Sequence, residues 1–124
     1  MVYVDGFLLP LPSGREDAYR QMADAAGRLW MEHGALAYRE CIADDVQGKD
    51  MVAFPDVIGA TAEETVVFSY IVFKSREHRD EVNAKVMADP RLKEMCGPGD
   101  APFDYKRMAY GGFRAIVDLQ DSEA

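Results

Sequence analysis

The chain has 124 residues, the length of one typical domain. Hydrophobic residues make up 48% and charged residues 29% of it, so the composition excludes a chain that is disordered as a whole and a membrane-embedded protein. A net charge of −8, from 14 Lys and Arg against 22 Asp and Glu, disfavours nucleic acid and anionic membranes as partners, because phosphate binding depends on clustered positive charge.

The chain begins with a predicted strand over residues 2–11, which is apolar on both faces and ends in prolines. Ser13 and Glu16 then have the spacing of a capping box at a helix start. Gly34 is placed to end this helix with a left-handed cap. Residues at three- and four-residue spacing predict one apolar stripe on the helix, formed by Tyr19, Met22, Ala23, Ala26, Leu29, Trp30 and His33.

Three extended segments follow the first helix. Residues 35–46 read as a strand with Tyr38 on one face and Arg39 on the other. Residues 51–58 are apolar but contain Pro55, which predicts an edge strand or an arm. Residues 65–73 carry apolar side chains on both faces and predict a further strand.

The C-terminal part of the chain predicts helices and a last strand. Ser75 caps a helix that runs to about residue 88, and Asp89 with Pro90 starts a short helix behind it. Residues 96–102 are rich in Gly and Pro and predict a loop. A final strand is expected over residues 110–119, and residues 120–124 are expected to form a disordered acidic tail.

The order strand–helix–strand–strand–helix–strand predicts one α+β domain over residues 1–119. It is the ferredoxin-like split β-α-β layout, an antiparallel sheet with two helices on one face. The first and third strands are apolar on both faces, whereas a strand with one wet face should alternate. Because we predict no further helix that would cover the second face, we expect an obligate homodimer that packs sheet to sheet as a dimeric alpha-beta barrel.

The sequence predicts a cytoplasmic protein. Met1 is followed by neither a basic region nor a cleavage pattern, so we expect no signal peptide. The apolar stretches are of strand length, shorter than the ~20 residues of a membrane span. Cys41 and Cys96 lie far apart outside any CxxC pair, which favours two idle thiols in a reducing compartment.

The chain contains several distinctive short sequence motifs. They are Tyr3-Val4-Asp5-Gly6-Phe7, Glu40-Cys41, Val67-Phe68-Ser69-Tyr70 and the stretch from Pro102 to Phe113. Together they resemble the YbaA-like family of small bacterial proteins, a domain-of-unknown-function group. The family belongs to the dimeric alpha-beta barrel superfamily, so the resemblance implies the same fold and homodimer and no particular reaction.

Asp5 is the first candidate functional residue, because it interrupts an apolar strand and a buried carboxylate must be paired or protonated. If Val4 and Leu8 face the helices, then Asp5 faces the barrel interior, where it would act as a general base. The alternative is a structural carboxylate that pairs with Arg39 or Arg114.

His78 is the second candidate, in the first turn of the second predicted helix. It is placed similarly to a functional histidine of haem-degrading mono-oxygenases in the same superfamily. His33, at the end of the first helix, is explained by the helix dipole. Two histidines without an acidic ligand cluster predict no metal site, and we expect no cofactor.

These residues leave alternative functions open. We rank first a binding module that holds a small apolar metabolite in the barrel interior. A cofactor-independent mono-oxygenase or isomerase, with Asp5 and His78 as catalytic residues, is the main alternative, and it requires both side chains to meet in one cavity. A structural or interaction protein is the third. The predicted ligand-binding residues are Tyr3, Phe7, Tyr70, Tyr110 and Arg114.

Overall fold

The computed structural model describes residues 1–95 and 101–121 of the chain. Within these residues a four-stranded antiparallel sheet packs against helices, which makes the domain an α+β fold. The elements in chain order are β1 (Tyr3–Pro12), α1 (Glu16–Glu32), β2 (Ala37–Ile42), α2 (Phe54–Ile58), β3 (Glu64–Phe73), α3 (Arg76–Ala88), α4 (Pro90–Met95) and β4 (Ala109–Arg114).

The strands lie in the order β2-β3-β1-β4, and each neighbouring pair is antiparallel. This arrangement is consistent with the predicted ferredoxin-like layout. The two ten-residue strands, β1 and β3, form the centre of the sheet, and β2 and β4 form its edges.

The register assigns every strand side chain to one of two faces. Leu9 of β1 pairs with Val67 of β3, and both pack against Tyr19 of α1. We call this side the helix face. The other side, which we call the open face, carries the alternate residues, among them Val4, Leu8, Arg39, Cys41, Phe68, Tyr70, Val72 and Phe113.

The core lies between the helix face and the helices, in two adjoining clusters. One cluster joins β1 and β3 to the first half of α1, and the other joins β3 to the end of α1 and to α3. Complete burial of a Val, Leu, Ile or Phe side chain contributes about 1.5–3 kcal/mol relative to an exposed one. The buried members are Leu9, Leu11, Tyr19, Ala23, Val67 and Phe103 in the first cluster and Leu29, Ala35, Ile71, Phe73, Val82 and Val86 in the second.

The predicted helix starts at Ser75 and Asp89 are confirmed. The Ser75 hydroxyl accepts the backbone N–H of His78 at 3.0 Å, which caps α3. The Asp89 carboxylate accepts the backbone N–H of Arg91 at 3.0 Å, immediately before α4 begins at Pro90.

The predicted capping box at Ser13 and Glu16 is wrong. Helix α1 begins at Glu16, and its N-cap position, Arg15, makes no side-chain capping bond. Gly14 turns the chain with a φ of 90° between the strand and the helix, so Ser13 lies outside the capping position. The predicted end of this helix is confirmed, since Gly34 has a φ of 118° just after it.

The predicted edge strand at 51–58 is also wrong, because residues Phe54–Ile58 form helix α2. Pro55 lies in its first turn, and Gly59 ends it in the left-handed conformation with a φ of 67°. Proline at the start and glycine just past the end are typical helix signals. The Phe54 ring lies 6.1 Å from that of Phe68, so α2 is an additional helix that covers one end of the open face.

Arg107 ties the loop that follows α2 to the turn before β4. Its guanidinium donates to the Gly59 carbonyl at 2.9 Å and to both Glu64 carboxylate oxygens at 2.7 and 3.0 Å. The bonds from Arg107, together with the backbone N–H of Thr61, lower the pKa of Glu64 to about 2. Bonds from Arg107, which is distant in the sequence, therefore hold the end of α2 in place.

The last strand is shorter than predicted, since β4 ends at Arg114 and residues 115–121 continue outside the sheet. Cys41 is a free, exposed thiol on the open face. Cys96 and residues 122–124 of the predicted acidic tail lie outside the described residues. In the described part of the chain, no helix has the length and apolar character that crossing a membrane requires.

Candidate functional site

A cavity of about 700 Å³ lies between the helix face of the sheet and the helices. We call it the helix–sheet cavity. Small-molecule sites are typically about 300–1,000 Å³ in volume and mostly apolar. The wall is apolar and aromatic over most of its area, and its members include Phe7, Leu9, Met22, Ala26, Trp30, Ile71, Met87, Leu92, Phe103 and Met108.

Glu40 places a carboxylate in this apolar wall. The Tyr19 hydroxyl donates to its Oε1 at 2.7 Å, and the Tyr38 hydroxyl donates to its Oε2 at 2.6 Å. Burial, followed by the charge of Glu40, raises the pKa of the Tyr19 phenol above its ordinary value of 10. Tyr19 therefore remains a protonated donor to Glu40 at neutral pH. We call these residues the Glu40 cluster.

A glycine in α1 determines where Tyr38 of this cluster lies. A Cβ at Gly27 would be 2.6 Å from Cδ1 and Cε1 of the Tyr38 ring and 3.1 Å from its Cγ. The ring therefore lies directly against the helix backbone, which only a residue without a side chain permits. This contact directs the Tyr38 hydroxyl to Glu40.

A second, larger groove of about 890 Å³ lies on the other side of the Glu40 cluster, between α1 and β2. The two spaces adjoin at the cluster, because Tyr19, Tyr38 and Glu40 line both. Many residues of the groove are charged and exposed, which is typical of a solvated surface. They include Glu16, Asp17, Arg20, Asp24 and Arg28.

Asp5 organises a buried polar network beside the cavity. Its side chain is 1% exposed and accepts from Arg79 at 2.8 Å and from Asn83 at 3.4 Å. Asn83 in turn accepts the indole N–H of Trp30 at 3.0 Å, and Arg79 donates to the Tyr110 hydroxyl at 2.8 Å. Since Trp30 and Tyr110 both line the helix–sheet cavity, this Asp5 network fixes two of its aromatic walls.

Gly112 lets the Asp5 network come close to β4. A Cβ on it would lie 2.4 Å from the Tyr3 hydroxyl and 3.0 Å from Nη1 of Arg79. The sequence pattern Gly111-Gly112 predicts a bulge or a close backbone approach, and the close approach is the one observed. The Arg79 guanidinium also lies 5.0 Å from the centre of the Tyr3 ring, in cation–π contact.

The five predicted ligand-binding residues lie in different places. Phe7 and Tyr110 line the helix–sheet cavity, with ring centres 5.0 Å apart. Burial, and then the charge of Asp5, raises the pKa of Tyr110. Tyr3 contacts Arg79, and Arg114 is exposed opposite Tyr3 at the edge of the sheet.

Tyr70, the remaining ligand-binding prediction, is on the open face, separated from the cavity by the sheet itself. It pairs with Gly6 in the register, and the Arg39 guanidinium lies 5.7 Å above its ring. Tyr70 therefore shares no space with Phe7 and Tyr110.

The expected orientation of Asp5 is wrong. Asp5 was expected to face the barrel interior if Val4 and Leu8 faced the helices, but the register places these two residues on the open face. Asp5 instead points at α3, where its ion-pair partner is Arg79 and not the expected Arg39 or Arg114. A buried carboxylate on this side needed a cation from the covering helix, and α3 supplies it.

His78 and Asp5 are not brought together. The His78 ring accepts the backbone N–H of Lys74 through Nδ1 at 2.9 Å and packs edge-on against Phe73. Neither His78 nor Asp5 is among the residues that line the helix–sheet cavity. The geometry therefore gives no support to an acid–base pair of these two side chains.

Glu32, His33 and Asp89 bring three possible metal-ligand atoms within 4.8 Å of one another. His33 shares a 2.9 Å contact with Asp89. The Arg91 guanidinium bonds to both Glu32 and Asp89, so a cation already occupies the space between the carboxylates. The cluster is accounted for as a link between α1 and α4.

The sequence reasoning missed Glu40, Arg79 and Asn83 as site residues. The signal for Glu40 was its two-residue spacing from Tyr38, which places both side chains on one face of β2. Arg79 and Asn83 are four residues apart on α3, so they face the same way. Either spacing identifies a site residue only when it is known which face of the sheet the helices cover.

Residues 2–105 match the model of a family described as "Protein of unknown function (DUF1428)". The chain belongs to the DUF1428 family. It is 48% identical over 119 residues to "Uncharacterized protein YbaA" of Escherichia coli strain K12, which covers 95% of this chain and 99% of that protein. The protein of the same name from Shigella flexneri matches to the same extent. The resemblance to the YbaA-like family is thereby confirmed.

Solved structures similar to this DUF1428 chain carry the name NIPSNAP. An uncharacterized NIPSNAP domain protein from Burkholderia xenovorans has a TM-score of 0.62 at 12% identity, over 96% of this chain and 99% of that one. A nipsnap family protein from Agrobacterium tumefaciens has a TM-score of 0.59 at 16% identity, over 90% and 86% of the two chains. At these identities the similarity establishes a shared fold.

Proposed function

We propose that this protein is a cytoplasmic homodimer in which each protomer binds one small, largely apolar molecule in the helix–sheet cavity. The observation that carries the proposal is the cavity itself, a space of about 700 Å³ walled by aromatic, methionine and aliphatic side chains. Sites for small molecules combine such a wall with a few fixed polar groups that orient the ligand. The Glu40 cluster supplies such a group.

The homodimer is supported by the apolar surface of the open face. Phe113 is 62% exposed there, and its ring lies over the paired glycines Gly6 and Gly111. Phe68 is 45% exposed although α2 covers one side of it. Apolar side chains that adjoin on one sheet face are typical of a surface that a partner covers. A second copy packed sheet to sheet would bury them.

Titration with 1-octanol tests ligand binding, with tryptophan fluorescence as the readout. Trp30 is the single tryptophan of the chain and lines the cavity, so we expect a saturable change in its emission. Ala26→Leu adds a larger side chain to the cavity wall and should weaken the binding about tenfold or more. Ala25→Leu, at the neighbouring position outside the cavity lining, is the matched control and should bind as the wild type does. A wild-type protein whose emission shows no saturable response would contradict the proposal.

Native mass spectrometry of paired variants tests the dimer. The wild type should appear at twice the mass of the chain. Phe68→Glu places a charge on the open face and should shift the population to monomer, because an unpaired charge in an apolar interface is strongly unfavourable. Met31→Glu changes an equally exposed residue, 45% in both cases, on the helical side of the domain and should leave the dimer intact. A Phe68→Glu protein that stays dimeric would place the interface elsewhere.

A further inference from the structure

We propose that the helix–sheet cavity selects molecules whose polar end donates hydrogen bonds, and favours a protonated amine, with Glu40 as the residue that makes the selection. This inference rests on the proposed ligand-binding function and adds the chemical class of the ligand. It follows from the hydrogen-bond directions, charges and aromatic contacts of the cavity wall.

The hydrogen-bond directions at the Glu40 cluster favour a ligand that donates. A phenol has one O–H to donate, and both Tyr19 and Tyr38 give theirs to Glu40. Neither hydroxyl has a second proton for an incoming molecule. A carboxylate has about four acceptor positions on its two oxygens, and the tyrosines use one on each oxygen. Glu40 therefore has acceptor positions left, and a ligand group that donates a hydrogen bond would fit the cluster.

The charges point the same way. Among the described residues that line the cavity, the side chains charged at neutral pH are those of Glu40 and Lys93. Lys93 is exposed on α4, where water screens its charge, whereas Glu40 is half-buried between its two tyrosines. A carboxylate head group placed at the Glu40 cluster would meet a like charge in a partly desolvated site, and an ammonium would meet an opposite one.

Aromatic rings near Glu40 also favour a cation. Trp30 and Tyr38 both line the cavity, and their ring centres are 6.3 Å apart. The faces of tryptophan and tyrosine rings attract ammonium groups, and the attraction grows when the site is shielded from water. An alkyl or aryl body would occupy the methionine and aliphatic part of the same wall. The ligand class is thus a small primary amine with an apolar body.

Three probes with the same eight-carbon chain separate head group from body: octylamine, 1-octanol and octanoate at neutral pH. Binding is measured by Trp30 emission, which reports on this cavity and not on the open face. We expect octylamine to bind about tenfold or more tightly than octanoate, the scale of one charge-assisted hydrogen bond, with 1-octanol between them. Glu40→Gln keeps the shape of the side chain and removes its charge, so it should reduce the ratio to about threefold or less.

Two further variants complete the test. Glu40→Asp keeps the charge on a shorter stem and should retain the preference for octylamine, which gives a second readout if Glu40→Gln does not fold. Glu63→Gln, at an exposed position outside the cavity lining, is the control for a change in net charge and should leave the ratio unchanged.

The outcomes are distinct. Similar affinity for all three probes, tighter binding of octanoate, or an unchanged ratio in Glu40→Gln would overturn the selection and leave the proposed binding function in place. Failure of all three probes to bind the wild type would overturn the binding function, and the selection with it. A preference for octylamine that Glu40→Gln removes and Glu40→Asp keeps supports the inference.

Discussion

Substituting Asp5 by asparagine is expected to lower the free energy of unfolding by about 3 kcal/mol, because it leaves the Arg79 charge without its buried counterion. The two Asp5 oxygens accept from Arg79 and Asn83, which are both donors. An asparagine has nearly the same shape but turns one acceptor into a donor, so one of these contacts becomes donor against donor. Urea unfolding at one fixed protein concentration measures the change.

Asp80→Asn is the matched control for Asp5→Asn. Asp80 bonds to the same guanidinium at 2.8 Å, but its side chain is 62% exposed. Exposed ion pairs contribute at most about 1 kcal/mol, so this variant should unfold almost as the wild type does. An Asp5→Asn protein as stable as the wild type, or more stable, would show that the carboxylate is retained for a role other than stability.

The second large effect is expected at Gly27, where alanine should destabilise the protein by up to about 2 kcal/mol. In a helix interior, alanine is normally favoured over glycine by about 1 kcal/mol. Here its Cβ would lie 2.6 Å from the Tyr38 ring, and overpacking of this kind costs about 1–3 kcal/mol. Because the clash reaches the Cγ at the base of the ring, the whole side chain must move and its hydroxyl leaves Glu40.

Making the same substitution in a Tyr38→Ala protein separates the effect of the clash from the effect of helix propensity. In a Tyr38→Ala protein the ring is gone, so Gly27→Ala should raise the free energy of unfolding by about 1 kcal/mol. Thermal or urea unfolding of the four proteins of this cycle tests the change of sign. Equal destabilisation in both backgrounds would mean that Tyr38 is not the cause.

Much of the fold follows from local sequence signals. Ser75 and Asp89 were sufficient to predict the starts of α3 and α4, because each caps its helix with its own side chain. The failure at residues 51–58 has a physical cause. Pro55 excludes the middle of a sheet, but it fits the first turn of a helix equally well, and Gly59 beyond it was the signal that distinguishes the two.

The candidate site was less predictable, because it depends on which way a two-sided apolar strand faces. Asp5 was identified from its chemistry, yet the parity of β1 was ambiguous, since both of its faces are apolar. The wrong parity gave Asp5 the wrong partners. Glu40 was not predicted, because its tyrosine partners come from two elements, α1 and β2. Tyr19 and Glu40 are 21 positions apart, so only the packed fold brings them into contact.

Helix α2 is too short to be stable on its own. It has five residues, none of them buried, and a helix of this length is not stable in water without tertiary contacts. It depends on the Phe54–Phe68 contact and on the Arg107 bond to Gly59. Such a segment opens by local unfolding at a lower free energy than the core. Val66 lies on the same face of β3, two residues from Phe68, and is buried. Opening of α2 would therefore enlarge the exposed apolar area at this end of the open face, and the bond from Arg107 to Gly59 opposes that opening.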